Sequence, residues 1–160
     1  MSIAKPLGVG KKEEVKLDSA ASHLLEECRM VLPGIQALFG FQLIAVFNDG
    51  FDHKLATGER QLHFFALFLV ALSAALVMAP AAIHRQSQQR EVSERFIWLS
   101  SLLVRVSMLP LALGLALDVY LIARVVFGTS GFGLAFSAGL LLALVLLWMV
   151  LPRLEARKNR

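Results

Sequence analysis

Four apolar blocks, each long enough to cross a lipid bilayer, constrain this chain more than any other feature. They run over residues 30–47, 62–83, 96–127 and 132–151. Each holds about 18 residues or more, the length that an α-helix needs to cross a hydrocarbon core about 30 Å thick. The chain is 57% hydrophobic and 18% charged, and a soluble domain of 160 residues could not bury that much apolar surface. The sequence therefore predicts an all-α integral membrane protein with four transmembrane helices.

Positive charge is concentrated on one side of the predicted membrane. Of the sixteen lysines and arginines, twelve lie before the first block, in the loop after the second block and in the C-terminal tail. Two lie in the first loop on the opposite side, Arg124 lies beside the second loop on that side, and Arg105 lies deeper within the third block. Because short loops rich in lysine and arginine stay in the cytoplasm, we predict that both termini are cytoplasmic. These residues also favour anionic lipid at the cytoplasmic face. Without a recognition motif they predict no nucleic-acid partner.

The polar and apolar segments divide the chain into three parts. Residues 1–17 are polar and predict a flexible cytoplasmic arm, residues 18–152 form the four-helix transmembrane domain, and residues 153–160 form a basic cytoplasmic tail. Asp18 or Ser19 suits the N-cap position of the first helix. We expect this helix to begin as an amphipathic cytoplasmic extension and then to enter the bilayer.

Prolines and turn residues mark the expected bends and ends of the helices. Pro33 predicts a bend where the first helix enters the membrane, Pro80 predicts the end of the second helix, and Pro110 predicts a kink in the third. Thr57 is the expected N-cap of the second helix. Residues 128–131 predict a tight turn between the third and fourth helices.

A polar stripe follows one face of the first helix. Its members recur at steps of three and four residues, at Ser22, Glu26, Arg29, Pro33, Gln36 and Gly40. An unpaired amide inside hydrocarbon is costly, so Gln36 requires a partner helix, another subunit or water. Two interpretations remain open. The stripe lines a cytoplasmic vestibule that selects what enters, or it is a packing face on which Glu26 pairs with Arg29.

Two further polar residues, Gln42 and Asp118, lie within predicted spans. Gln42 is six positions from Gln36 and therefore faces another side of the first helix, which suggests that this helix is central and that the protein is a homo-oligomer. A carboxylate as deep in a span as Asp118 is by default a functional hypothesis. Protonation would satisfy it, as would a partner such as Arg105, Gln42 or Tyr120. Arg105 lies thirteen residues earlier, about 20 Å along the same helix axis, so it cannot pair with Asp118 within that helix, and we expect it to extend to the cytoplasmic headgroups. The outer interface and Arg124 are the other possible partners. An ion or proton role and a structural contact both remain open.

The remaining titratable residues predict no catalytic or metal site. Acids and histidines occur in the first loop and just after it, at Asp49, Asp52, His53, Glu59 and His63. Their spacing matches no metal-binding motif, and we expect a solvated loop. The sequence contains no nucleophile, nucleotide-binding, zinc or haem motif. We therefore expect neither enzymatic activity nor a cofactor.

Two stretches carry a family resemblance. The first is EECRMVLPGIQ over residues 26–36, and the second is Ala79-Pro80 followed by His84-Arg85. Over residues 20–130 the chain resembles a family of small bacterial four-helix membrane proteins classed as a domain of unknown function. The resemblance implies a protein of the bacterial inner (plasma) membrane, and it marks His84 and Arg85 as a cytoplasmic motif. It implies no activity.

Two functional hypotheses from different classes follow. The first is a homo-oligomeric channel or transporter for an ion or small solute, lined by helix one, with Glu26, Arg29, Gln36, Gln42 and Asp118 as its polar residues. The second is a non-catalytic accessory or scaffold module that binds another membrane protein or lipid, in which the same residues serve only packing.

Overall fold

The protein is a bundle of long helices. The computed structural model describes residues 7–86 and 93–158, and within these residues every regular element is helical. The elements in chain order are α1 (Leu7–Val46), α2 (Gly50–Lys54), α3 (Thr57–Gln86), α4 (Glu94–Phe127), α5 (Ser130–Val145), a π-helical turn (Leu146–Val150) and α6 (Leu151–Lys158).

Four of these helical segments are long and apolar enough to cross a membrane. They are Lys16–Val46, Thr57–Gln86, Glu94–Phe127 and Ser130–Lys158, the last of which continues from α5 through the π-helical turn into α6. The predicted all-α class is thus confirmed, as is the predicted number of helices long and apolar enough to span a membrane, and these four helices indicate a multi-pass membrane protein. Residues 47–56 and 128–129 form one end of the bundle, which we call the first-loop end. Gln86, Glu94 and Lys158 lie at the other, which we call the terminal end.

The helices pack along seams in which buried residues recur at heptad spacing. On α4, every seventh residue from Ser100 to Leu121 is buried. On α1, the same spacing gives a seam at Ala21, Cys28, Ile35 and Gln42. A repeat of seven keeps one side of a helix against a neighbour that crosses it at a shallow angle.

The central helix of the bundle is α4. It packs extensively against both α3 and α5, and it also contacts α1. The expectation that the first helix is central is therefore wrong, because α1 contacts only α3 and α4 extensively and leaves most of its surface exposed. Small residues explain why α4 is the central helix. α4 buries serine, alanine and glycine on several sides, so neighbouring backbones can approach it closely.

Several helix ends differ from the predicted ones. α1 begins at Leu7, so the predicted N-cap at Asp18 or Ser19 is wrong, and the proposed mobile arm is helical from Leu7 onward. Residues 1–6 of that arm lie outside the described residues. α3 continues through the buried Pro80 to Gln86. A proline removes only its own N–H group, and membrane helices tolerate it where neighbouring groups compensate.

The turn between α4 and α5 has the predicted tight geometry. Gly128 has a φ of 69°, a left-handed conformation that favours glycine, and its N–H donates to the carbonyl of Arg124 at 3.0 Å. The start of α3 also lies close to its predicted position. Its first residue is Thr57, and the Glu59 carboxylate accepts a hydrogen bond from the Ala56 N–H at 2.9 Å.

Candidate functional site

Three spans each contribute one polar side chain to a single cluster. Gln42 comes from the buried seam of α1, His63 from the second turn of α3, and Asp118 from the last third of α4. Gln42 is 4% exposed and His63 is 7% exposed. We call these three residues the polar cluster. It lies toward the first-loop end, within the segments that are long and apolar enough to span the membrane.

Hydrogen bonds tie the polar cluster together. The Gln42 side-chain amide donates through Nε2 to Oδ2 of Asp118. The imidazole of His63 lies with Nε2 at 3.0 Å from the main-chain carbonyl oxygen of Gln42, and its Nδ1 lies 3.8 Å from Oδ1 of Asp118. Of the predicted partners of Asp118, Gln42 is therefore the one that the fold brings to it. Arg105 is exposed and donates to the carbonyl of Ser101 instead.

The geometry fixes which nitrogen of His63 carries a proton in the neutral ring. A carbonyl oxygen can only accept, so the contact with Gln42 requires a proton on Nε2. Nδ1 of the neutral ring then presents a lone pair toward Oδ1 of Asp118. Two acceptor atoms that face each other in this way repel unless a proton or a cation lies between them.

Gln42 leaves one acceptor unused. Its Oε1 is buried and has no hydrogen-bond partner within the part of the chain that the structure describes. A side-chain amide offers a donor at one end and an acceptor at the other. Gln42 can therefore meet a charged Asp118 with its NH₂ group, and it can meet a protonated Asp118 or a bound cation with its oxygen.

A small cavity gives access to the polar cluster from the first-loop end. It has a volume of about 210 Å³, and apart from His63 and Asp118 its walls are apolar, formed by residues of α1, α4 and the first loop. Phe51 of α2 lies over His63, with the two ring centroids 5.3 Å apart and the rings nearly perpendicular. The cavity can hold several water molecules, since one water takes about 30 Å³ in the liquid.

An ion pair stands between the polar cluster and the end of the bundle. Nε of Arg124, on the last turn of α4, lies 3.1 Å from Oε1 of Glu59, on the first turn of α3. Because Glu59 also caps α3 through Ala56, the pair fixes the start of one span to the end of the next. The guanidinium group of Arg124 is therefore engaged in an ion pair with Glu59.

The other predicted site residues do not join the polar cluster. Glu26, Arg29 and Gln36 are exposed on the surface of α1. The Glu26 carboxylate lies 3.9 Å from Nδ1 of His23, so the pairing proposed between Glu26 and Arg29 is not the one that the structure has. Arg29 instead lines a cleft near the terminal end together with His84 and Arg85.

His63 was not predicted as a member of the site, because its position beside the acidic first loop indicated a solvated outer loop. The buried residues of α3 include His63, Ala66, Val70, Ser73, Val77 and Pro80, at alternating steps of three and four. That periodicity places His63 on the same helical face as the core of α3. This periodicity is visible in the sequence, and it indicates that His63 faces the interior of the bundle. Within the described residues no group of three histidine, cysteine, aspartate or glutamate side chains is arranged to hold a metal ion.

A family model for a family of unknown function (DUF6328) matches residues 10–152. The chain belongs to this family. The match extends beyond the stretch of resemblance at residues 20–130 and includes the fourth span, which the resemblance had left out. No curated protein matches the chain, and no solved structure matches it. The function must therefore be inferred from the geometry.

Proposed function

We propose that this member of the family transports protons, or a small cation in their place, and that the polar cluster is its ion-binding site. The observation that supports the proposal is the facing pair of acceptors, Nδ1 of His63 and Oδ1 of Asp118, 3.8 Å apart among apolar helices. Ionisable groups at such depth are rare, and chains of aspartate, glutamate and histidine are the usual proton relays of membrane proteins.

The route from the first-loop end passes the apolar cavity next to the polar cluster. By the positive-inside rule this end faces away from the cytoplasm. The walls around Asp118 are almost entirely apolar, and Phe51 covers His63. Narrow apolar passages conduct when they are wet and close when they dry. In this proposal α2 moves with its phenylalanine to control hydration of the polar cluster.

The exposed stripe on α1 supports the proposal that several copies assemble. Cys28 of α1 and Val77 of α3 belong to one core cluster, so the stripe runs beside the apolar part of α3. Gln36 lies inside the first apolar block and is exposed, so its amide is at a depth where lipid cannot solvate it. A second copy of the chain would supply polar partners at the same depth. The proposal of a homo-oligomer with a polar interface between copies therefore depends on the exposed Gln36 rather than on the buried Gln42.

The decisive test is ion flux through the full chain in proteoliposomes. We expect flux of H⁺, measured beside K⁺, Na⁺ and Cl⁻, and we expect Asp118→Asn to reduce it. Asparagine has nearly the same shape and keeps an acceptor for the Gln42 amide, but it cannot exchange a proton. A positioned proton-transfer group typically contributes a rate factor on the order of 100 or more, and the flux should fall comparably.

The matched control is Asp18→Asn, which removes an exposed carboxylate from α1 far along the chain from the polar cluster. This variant should retain the flux of the unmodified chain. If Asp118→Asn transports at an unchanged rate with an unchanged pH dependence, the polar cluster is not the transport site. If the unmodified chain passes none of the four ions, the transport proposal fails as a whole.

A second candidate function is a non-catalytic accessory module that binds another membrane protein. The observation in its favour is that Gln42, His63 and Asp118 already contact one another, as residues that only hold helices together would. Under this hypothesis Asp118→Asn changes the stability of the bundle, leaves no flux phenotype, and the intact protein co-purifies with a defined partner.

A further inference from the structure

A second cavity lies at the other end of the bundle, away from the polar cluster. It is a cleft of about 900 Å³ between α1 and α3 near the terminal end. Its floor is apolar, with Leu25, Leu32 and Met78 among its residues. Its rim is basic, formed by Arg29 on α1 together with His84 and Arg85 on α3. The cleft therefore combines a hydrocarbon-like interior with a positively charged edge.

The two arginines at the rim are available to a ligand. Both are exposed, and neither Arg29 nor Arg85 has an ion-pair or hydrogen-bond partner among the described residues. No acidic side chain is among the described residues that line the cleft. The imidazole of His84 lies beside the ring of Phe96, with centroids 5.6 Å apart. Arg29 and Arg85 thus carry positive charge that the described residues lining the cleft do not neutralise.

The arginines approach the rim from opposite directions. Arg29 precedes the first apolar block and Arg85 follows the second, so both border the part of the chain that lies in hydrocarbon. Side chains on a helix tilt toward its N-terminus, and α1 and α3 run antiparallel as successive spans. Arg29 therefore tilts toward the terminal end and Arg85 tilts back toward the bilayer. This convergence suits a single phosphate held between two guanidinium groups.

We propose that this cleft is a binding site for one anionic phospholipid. The headgroup phosphate lies between Arg29 and Arg85, and an acyl chain follows the apolar floor toward Leu32. A soluble anion makes no apolar contact with the floor of the cleft, and a lipid without net charge gains no net electrostatic attraction from the arginines of the rim. Basic pockets between transmembrane helices on the cytoplasmic side are the usual sites for anionic headgroups. The proposal does not depend on the transport function.

The test is titration of the intact protein in mild detergent with phosphatidylglycerol, read out by native mass spectrometry as the fraction carrying one lipid. Phosphatidylcholine with the same acyl chains and glycerol phosphate without chains serve as the other probes. We expect saturable binding of one phosphatidylglycerol. Because each basic residue near an anionic surface contributes about 1 kcal/mol, Arg29→Gln/Arg85→Gln should weaken this affinity about 25-fold.

The matched control is Arg153→Gln/Arg157→Gln, which removes the same charge from exposed positions of α6. It should retain the affinity of the unmodified chain. Equal loss in this control would show that general surface charge attracts the lipid, and would overturn the proposal. Unchanged binding by Arg29→Gln/Arg85→Gln would overturn it too, as would displacement of the lipid by glycerol phosphate at equal concentration.

A second pair of variants tests the apolar floor without touching charge. Ala75 lines the cleft and is exposed, so Ala75→Trp places an indole in the cleft without a clash inside the bundle. We expect this variant to lose the bound phosphatidylglycerol. Ala143→Trp introduces the same side chain on the exposed surface of α5 and should bind the lipid normally. Retained binding by Ala75→Trp would show that the lipid does not occupy the cleft.

Discussion

Gln42 joins all three members of the polar cluster. Its amide donates to Asp118, and its main-chain carbonyl accepts from His63. An interhelical hydrogen bond in a membrane protein contributes modestly, because the separated helices also find polar partners. The main effect of Gln42 is therefore to position the other two residues of the polar cluster. It holds the ring of His63 and the carboxylate of Asp118 next to each other, with Nδ1 and Oδ1 3.8 Å apart.

We predict that Gln42→Leu lowers the stability of the bundle by about 0.6 to 1.7 kcal/mol, the range for interhelical hydrogen bonds in membranes. Leucine keeps the volume but offers no donor to Asp118. Unfolding in mixed micelles, followed by tryptophan fluorescence, measures the difference. The control is Gln36→Leu, which removes an exposed amide from the same helix. It should leave the unfolding of the single chain unchanged and shift the oligomer toward monomer. A Gln42→Leu protein as stable as the unmodified chain would contradict the prediction.

The sequence predicted part of the polar cluster and missed another part, for physical reasons. Asp118 in a span requires a polar partner, and Gln42 was one of few candidates at a compatible depth. Arg105 and Tyr120 lie on the same helix as Asp118, so the contact with Gln42 depends on how α1 is rotated against α4, which a single sequence does not determine. His63 was missed because the apolar block was taken to begin beside it. Helical periodicity, rather than the edge of the block, was the better indicator.

At the scale of elements, the contact between α3 and α4 depends on small residues. A Cβ added at Gly114 would lie 2.9 Å from Cγ2 of Val70 and 3.2 Å from the carbonyl oxygen of Ala66. Val70 is fully buried and β-branched, so its side chain has no room to move aside. Nearby, the Ser73 hydroxyl donates to the main-chain carbonyl of Ser107 at 2.9 Å. These contacts require the two backbones to lie close together.

We predict that Gly114→Ala destabilises the bundle by about 1 to 3 kcal/mol, as overpacking of a filled interior does. The matched control is Gly139→Ala on α5, where an added Cβ meets no atom within 4 Å. There the higher helix propensity of alanine should leave stability unchanged or raise it by up to about 1 kcal/mol. Both values come from unfolding in mixed micelles. Equal effects of the two substitutions would show that α3 and α4 are not closely packed at Gly114.

Helix existence was easier to predict than helix length. The apolar blocks gave all four spans, because burial in lipid requires long apolar runs. The ends were less certain, since Pro80 and the polar segment before Asp18 both resemble helix boundaries in soluble proteins. In this bundle Pro80 is buried against its neighbours and α3 continues past it, and α1 extends to Leu7. At Pro80, burial among neighbouring helices therefore overrode the local signal.

At the scale of the whole molecule, the bundle leaves much of its apolar surface uncovered. In the most apolar 18-residue stretch of the fourth span, none of the residues is buried. In the most apolar stretch of the first span, 11% of the residues are buried. Within the described residues, α4 is the one helix that packs extensively against both α3 and α5. Lipid, another copy or another protein must therefore cover the outer helices.

We predict that both termini lie in the cytoplasm and that the first-loop end lies outside. Four spans place the termini on one side, and the concentration of basic residues there selects the cytoplasmic side. A fluorescent protein fused after Arg160 should be fluorescent, because it matures in the cytoplasm. Alkaline phosphatase fused after Lys54 should be active, because it requires an oxidising compartment. The reverse pattern would invert the proposed direction of access to the polar cluster.

The members of the polar cluster are synthesised well apart from one another. Gln42 precedes His63 by 21 residues and Asp118 by 76. At about 5 to 20 residues per second, roughly 4 to 15 seconds separate Gln42 from Asp118 on the ribosome. During that interval the hairpin of α1 and α3 occupies the membrane with the Gln42 amide still unpaired. The arrival of the third span completes the polar cluster, so translation itself sets when the Gln42 amide acquires its partner.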